Sequence, residues 1–208
     1  MLDLNNFITE VHDNAMAHGW WEGDRSQGGI LSLIHSELSE ALEEYRAARP
    51  NIWYACEESQ DKGVHVCAPK DEFECLNFGK EADCKYRGHK PEGIAVELAD
   101  AVIRVFDFIG AIHGNLENEN TIEDVMNNLP SICKDEWQLD FPDFICELHS
   151  VVAKSFQPTP EDTAEHLMHA VALILTWITG HGIDAEKLLL EKHNYNKSRP
   201  YKHGNKVC

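Results

Sequence analysis

The amino-acid sequence predicts an all-α protein. Apolar residues recur at helical spacing almost throughout, runs of strict alternation are few, and prolines and glycines separate the long periodic segments. The expected architecture is one domain over residues 1–208: a helical bundle with a four-helix core, interrupted by a polar, cysteine-containing insertion.

A first helix is expected over about Leu4 to His18, and a second over Gly28 to Ala48, closed by Pro50. A third is expected over Pro91 to Ile112, because a proline suits a first turn, where its missing N–H would have had no helical partner. Between them, Asn51 to Lys90 contains Cys56, Cys67, Cys75 and Cys84, several Gly and Lys residues, and no sustained apolar period. It reads as an inserted loop region in which strands are not needed. Beyond Pro130, helices are expected at about Phe141 to Phe156, Glu161 to Thr179 and Ile183 to Asn194, with Gln157 to Pro160 as a proline-marked break. The later half echoes the earlier one: Glu37-Leu38 has a counterpart in Glu147-Leu148, and Ala101-Val102 in Ala170-Val171. A degenerate internal duplication would produce that echo.

Charge narrows the partners. The 208 residues carry 36 acidic and 18 basic side chains, a formal net charge of -18, which disfavours binding to a nucleic acid polymer. Basic residues gather at the end, where Lys192 to Cys208 includes five Lys or Arg and no Asp or Glu, a composition suited to a small anion. Apolar stretches such as Ala170 to Ile178 fall short of the roughly 20 residues needed to cross a bilayer. Asp3 and Glu10 stand where a secretory signal would need basic residues, so a cytoplasmic location with reduced cysteines is expected.

Carboxylates on two of these helices carry the chemistry. On the second helix, Ile30, Ile34, Leu38, Ala41, Leu42 and Tyr45 share one face, with Glu37 and Glu44 on its border and Glu40 just beyond. The third helix is apolar in nearly every direction except a narrow stripe of Glu97, Asp100, Arg104 and Asp107. A helix apolar almost all round is expected to be buried, and buried carboxylates must be neutralised by partners or by metal. Spacing of three residues sets Glu37 with Glu40, and Glu97 with Asp100, on adjacent turns, so two neighbouring helices can offer four oxygen ligands to one space. Hard oxygen ligands favour Mg²⁺ or Mn²⁺. The competing expectation is that both stripes face water, or that Arg104 pairs with one of the acids.

The stretch HSELSEALEEYR, with Glu-x-x-Glu at Glu37 and Glu40, followed by VELAD, with Glu-x-x-Asp at Glu97 and Asp100, resembles the MazG-like all-α nucleoside triphosphate pyrophosphohydrolases. That superfamily also includes dimeric dUTPases, dCTPases and phosphoribosyl-ATP pyrophosphatases. Gly19-Trp20-Trp21 ahead of the first motif fits it too, as does Lys192-x-x-x-Asn196-x-x-Arg199 with Gly204 and Lys206. The resemblance implies that Glu37, Glu40, Glu97 and Asp100 hold one or more Mg²⁺ ions against a nucleotide triphosphate. It further implies hydrolysis of a canonical or noncanonical NTP or dNTP to a nucleoside monophosphate and pyrophosphate, with Glu40 acting on the water. Lys192, Asn196, Arg199 and Lys206 would bind phosphates, and subunits of related folds commonly pair into homo-oligomers. Two departures stand out: the insertion lengthens the interval between the motifs, and the second half has Glu147 with Ser150 and Glu165 with Met168 where the acidic pairs would repeat. In that respect the chain looks like the dUTPase-type members, whose degenerate second half completes the pocket.

Cys56, Cys67, Cys75 and Cys84, with His65 and His89 nearby, lie in a segment too polar to pack alone, and a structural Zn²⁺ would order it. No Cys-x-x-Cys pair is present, so four scattered thiols are the alternative. Trp20, Trp21 and Trp53 are candidates for stacking on a base or for core packing, while Trp177 belongs to the core by its apolar neighbours. His12, His18, His35, His113 and His169 have no shared metal spacing. Two other classes of protein fit the same features: a catalytically inactive helical nucleotide-binding protein and a zinc-stapled interaction module.

Overall fold

The structure, a computed structural model, describes residues 2–56, 66–67, 74–75, 79–80, 89–114, 116–117, 119–128 and 139–202, with side chains described outside 55–89. Helices dominate: α1 (Leu4–Ala17), α2 (Gln27–Arg46), α3 (Ile94–Ile112), α4 (Ile122–Asn128), α5 (Phe141–Lys154), α6 (Pro160–Gly180) and α7 (Ala185–Lys197). The fold class is all-α, as the apolar spacing predicts. Most helix starts are capped by side chains that the sequence supplies at the right offset. Asp3 accepts from the Asn6 N–H, Ser26 from Gly29, Thr159 from Asp162 and Asp184 from Lys187, and Pro160 occupies the first turn of α6.

At the centre is α3. It packs against α1, α2, α6 and α7, which leaves Leu98, Ala99, Ala101, Val102, Val105, Phe106 and Ile109 with no exposed surface. The helix is apolar on nearly all sides because it has neighbours on nearly all sides. Its contact with α1 is close: a Cβ on Gly110 would lie 2.7 Å from the His12 Cβ. Helix α2 also packs on α5, and α5 on α6, which in turn meets α3. The paired positions Leu38 and Leu148, Ala101 and Ala170, and Val102 and Val171 are all fully buried. Trp177 is buried against Phe141 and Phe144.

Among the described residues no single helix is long and apolar enough to cross a membrane. The helices α6 and α7 meet that test only as a pair bent by 111°, and the apolar length of α6 is largely buried in the fold.

Three differences from the sequence expectation concern short elements and one helix boundary. Strands do form: β1 (Trp53–Cys56), β2 (Val66–Cys67), β3 (Glu74–Cys75), β4 (Gly79–Lys80) and β5 (His89–Glu92). They make a three-stranded sheet in the order β2-β1-β5 and a separate β3-β4 pair. At two to four residues each they are too short for a two-residue alternation to show. Pro91 is not in a helix but in β5, opposite Tyr54, and α3 begins three residues later at Ile94. Helix α4 was not expected from periodicity, since its seven residues complete barely two turns. The side chains of Cys56, Cys67, Cys75 and Cys84 lie outside the described residues, as do those of His65 and His89. The one described free cysteine is Cys146, which is exposed.

The start of α3 is set by backbone rather than by a capping side chain. Strands β1 and β5 pair antiparallel from Trp53 opposite Glu92 to Cys56 opposite His89, and the Ala95 N–H then donates to the Asn51 carbonyl at 2.9 Å. Gly93 turns the chain between strand and helix at φ +114, where a Cβ would lie 2.7 Å from both the Pro50 and Asn51 carbonyl oxygens. Only glycine fits this corner. The expected result of Gly93→Ala is a loss of about 1–3 kcal/mol of stability, measured by chemical denaturation; an unchanged midpoint would show that the corner relaxes freely.

Candidate metal centre

Helix α2 ends near the strand that leads into the insertion, and α3 begins where the chain returns, so the two acidic motifs come side by side although the insertion separates them in sequence. Glu37, Glu40 and Glu97 each offer a carboxylate oxygen, and these oxygens lie within 4.8 Å of one another. Glu37 and Glu97 are each 5% exposed, whereas Glu40 is exposed and accepts from the Ser36 hydroxyl at 3.3 Å. Two acids are thus sunk in the helix interface and a third stands at its mouth.

The fourth expected ligand, Asp100, borders this group but engages α7. Its Oδ2 lies 2.9 Å from the Lys192 ammonium, and its Oδ1 accepts from the Asn196 amide at 3.1 Å. Lys192 is 1% exposed and part of the interior, not of a solvated tail. Its Nζ also reaches the Pro91 carbonyl at 3.5 Å. Arg104, one turn beyond Asp100, donates to Glu37 through Nε. Pairing of Arg104 with one of the acids, the competing expectation, is therefore present, but the stripes do not both face water. Arg199 lines an open cleft beside Asp100 and Arg104. Lys206 and Gly204 lie outside the described residues.

Electrostatics follow from this packing. Burial pushes the Glu97 carboxyl up to about 9 against the opposing pull of Lys192, with Asp100, Glu37 and a hydrogen bond to Glu92 adding to the rise. Glu97 sits in the first turn of α3, where the helix dipole favours negative charge, yet burial beside other carboxylates outweighs that effect. Glu37 is also raised, by burial first, with Arg104 opposing and Asp100 and Glu40 reinforcing. Burial would raise Asp100 as well, but Lys192, Arg104 and Asn196 hold it below the usual carboxylate range. Lys192 is raised in turn: burial works against its charge, and Asp100 and Glu97 overcome it. The cluster accordingly contains one acid well satisfied by cations and two that gain from either a proton or a further positive charge. A divalent cation fits the second need, since the donor set is all hard oxygen.

Several residues here carried no signal in the apolar periodicity. Glu92 belongs to β5, so no helical offset links it to Glu97; only the pairing of β5 with β1 brings it into hydrogen-bond reach. Asp107, in the predicted polar stripe but given no role, accepts from Trp21 Nε1 at 2.7 Å and His12 Nδ1 at 2.8 Å. The three tryptophans part company: Trp53 is buried and donates to Glu44 at 2.6 Å, Trp21 is held on Asp107, and Trp20 lines the cleft. No protein-family model, no curated protein and no solved structure matches this chain.

Two outcomes are expected. Glu97 and Glu37 bind protons more tightly in the folded than in the unfolded chain, so their stabilising contribution is full below the usual 4.5 and is lost as pH rises, for Glu97 through about 9. Metal-free protein should lose stability with rising pH across that window, and Mg²⁺ should suppress the loss because ligation needs ionised carboxylates. Denaturation curves with and without Mg²⁺ that run parallel in pH would contradict this. Separately, Lys192→Met should cost about 3–5 kcal/mol by leaving Asp100 without its cation, and Asp100→Leu in the same chain should restore part of it; a double loss equal to the sum of the two single losses would show no coupling.

Proposed function

We propose that the protein is a Mg²⁺-dependent nucleoside triphosphate pyrophosphohydrolase that converts an NTP or dNTP to the monophosphate and pyrophosphate. The observation that carries this is the convergence of Glu37, Glu40 and Glu97 from two separate motifs into one group of oxygens within 4.8 Å. The resemblance of those motifs to the MazG-like enzymes supplies the reaction class.

A divalent cation bound there, Mg²⁺ or Mn²⁺, would offset the repulsion between an acidic protein and a polyanion, polarise the phosphoryl oxygens and lower the pKa of bound water. The chain's own groups do the rest. Glu40, the exposed member, orients a water and takes its proton as the oxygen attacks the α-phosphorus; the bond to the bridging oxygen breaks and pyrophosphate leaves. Arg104 and Arg199 beside the acids are suited to the phosphate oxygens, since a guanidinium offers parallel donors to a polyanion. Lys192 and Asn196 act through Asp100, which they hold ionised and oriented next to Glu97.

Glu40→Gln removes the base while keeping the size and exposure of the side chain. Pyrophosphate release from a panel of nucleoside triphosphates with Mg²⁺ should fall by about 10²–10⁴-fold, with an unchanged helical circular dichroism spectrum. Wild-type protein that releases no pyrophosphate from any of them, or a variant with full turnover, would defeat the assignment.

A further inference from the structure

An open cleft beside Asp100 is lined by Asn14, Trp20, Asp100, Arg104, Asp107 and Arg199, among others. Its two ends differ in chemistry. At one end Asp100 and Arg104 touch the acidic group through Lys192 and Glu37. At the other, Asp107 lies about 15 Å further along α3 from Glu97, at 1.5 Å per residue. A nucleotide whose phosphates reach the acids would bring its sugar and base along this side of α3.

Asp107 is a constrained acceptor. Both the Trp21 indole N–H and the His12 Nδ1–H donate to its Oδ1, His12 packs edge-on against Trp21 at 5.1 Å, and Arg25 lies over the Trp21 ring at 5.1 Å. The carboxylate is therefore fixed in place with a side-chain exposure of 16%, while still lining the cleft. His12 is raised above its usual range, chiefly by its hydrogen bond to Asp107, which strengthens the clamp. An ionised carboxylate accepts hydrogen bonds and cannot donate. Its second oxygen meets an amino group favourably and a carbonyl oxygen unfavourably. Trp20 adds an aromatic surface and Asn14 an amide to the lining of the same cleft.

We propose that this cleft is the nucleoside pocket and that Asp107 determines specificity in it, accepting a hydrogen bond from the exocyclic amino group of the base and so selecting amino-bearing bases over their oxo counterparts. This rests on the nucleotide reading of the acidic site, and goes beyond it by naming the substrate class. Trp21 and His12 are positioning residues that act through Asp107.

The test compares matched pairs that differ at one exocyclic group, CTP with UTP and ATP with ITP, in Mg²⁺. Wild-type protein should favour the amino member by at least about 10-fold in kcat/KM, since an oxo group would set two acceptors against each other where an amino group donates. Asp107→Asn, which adds a donor at the same shape, should bring the ratio close to one or reverse it. Asn14→Leu, which fills the cleft without touching the clamp, should raise KM at least about 10-fold for every nucleotide, and it decides the matter if the Asp107 variant does not fold. Hydrolysis with equal use of both members of each pair, or an unchanged KM in the Asn14 variant, overturns the pocket and leaves the reaction class intact. Calorimetry with α,β-imido analogues separates the remaining cases. Amino-selective binding without hydrolysis upholds the pocket against the enzyme, and no binding overturns both.

Discussion

Carboxylates set into an otherwise apolar helix interface are the constraint on which this protein is organised. Two of the four acids of the paired motifs, Glu37 and Glu97, belong to the interior of α2 against α3, and ionising them there is unfavourable unless positive charge arrives. Arg104 and the buried Lys192 supply part of it, each committed to a different acid. The remaining demand, at Glu97 above all, is met by a proton or by a cation, so the same packing that makes the core also makes a site. Replacing the acids with apolar residues would relieve this tension and give a more ordinary bundle.

Placement of Glu97 depends on parts that are not helical. The antiparallel pairing of β1 and β5 returns the chain beside the end of α2, Gly93 turns it, and the Asn51 carbonyl receives the Ala95 amide in the first turn of α3. Outside that ladder, Trp53 is tied to Glu44 of α2 and Tyr54 donates to Glu191 of α7 at 2.7 Å, so the base of the insertion is fastened to two helices. The phenol of Tyr54 is pushed up by burial and by Glu191, and stays a donor at neutral pH.

Much of this could be read from residue order, and for a physical reason. Long amphipathic helices announce themselves through repeated apolar offsets, and α1, α2, α5 and α6 fall within a few residues of the expected spans. The stripe of Glu97, Asp100, Arg104 and Asp107 is visible because everything around it is apolar. Short elements leave no period: α4 and the strands escaped for that reason, and Pro91, which fits a first helical turn and an edge of a strand equally well, gave the wrong boundary. Partner choice was hidden as well. Nothing in the spacing tells that Lys192 turns inward to Asp100, or that Trp21 and His12 meet on Asp107, because these contacts join elements distant in the chain.

The ladder between β1 and β5 has a consequence for how such a chain can diverge. Adjacent antiparallel strands lie about 5 Å apart, so the polypeptide leaves the helical body and rejoins it at neighbouring points. Closure entropy of whatever lies between grows only slowly with its length. Residues beyond the ladder can therefore lengthen, shorten or be exchanged for an unrelated cassette during descent while the register of Glu37 against Glu97 stays fixed, which makes this the position where new binding partners are most cheaply acquired.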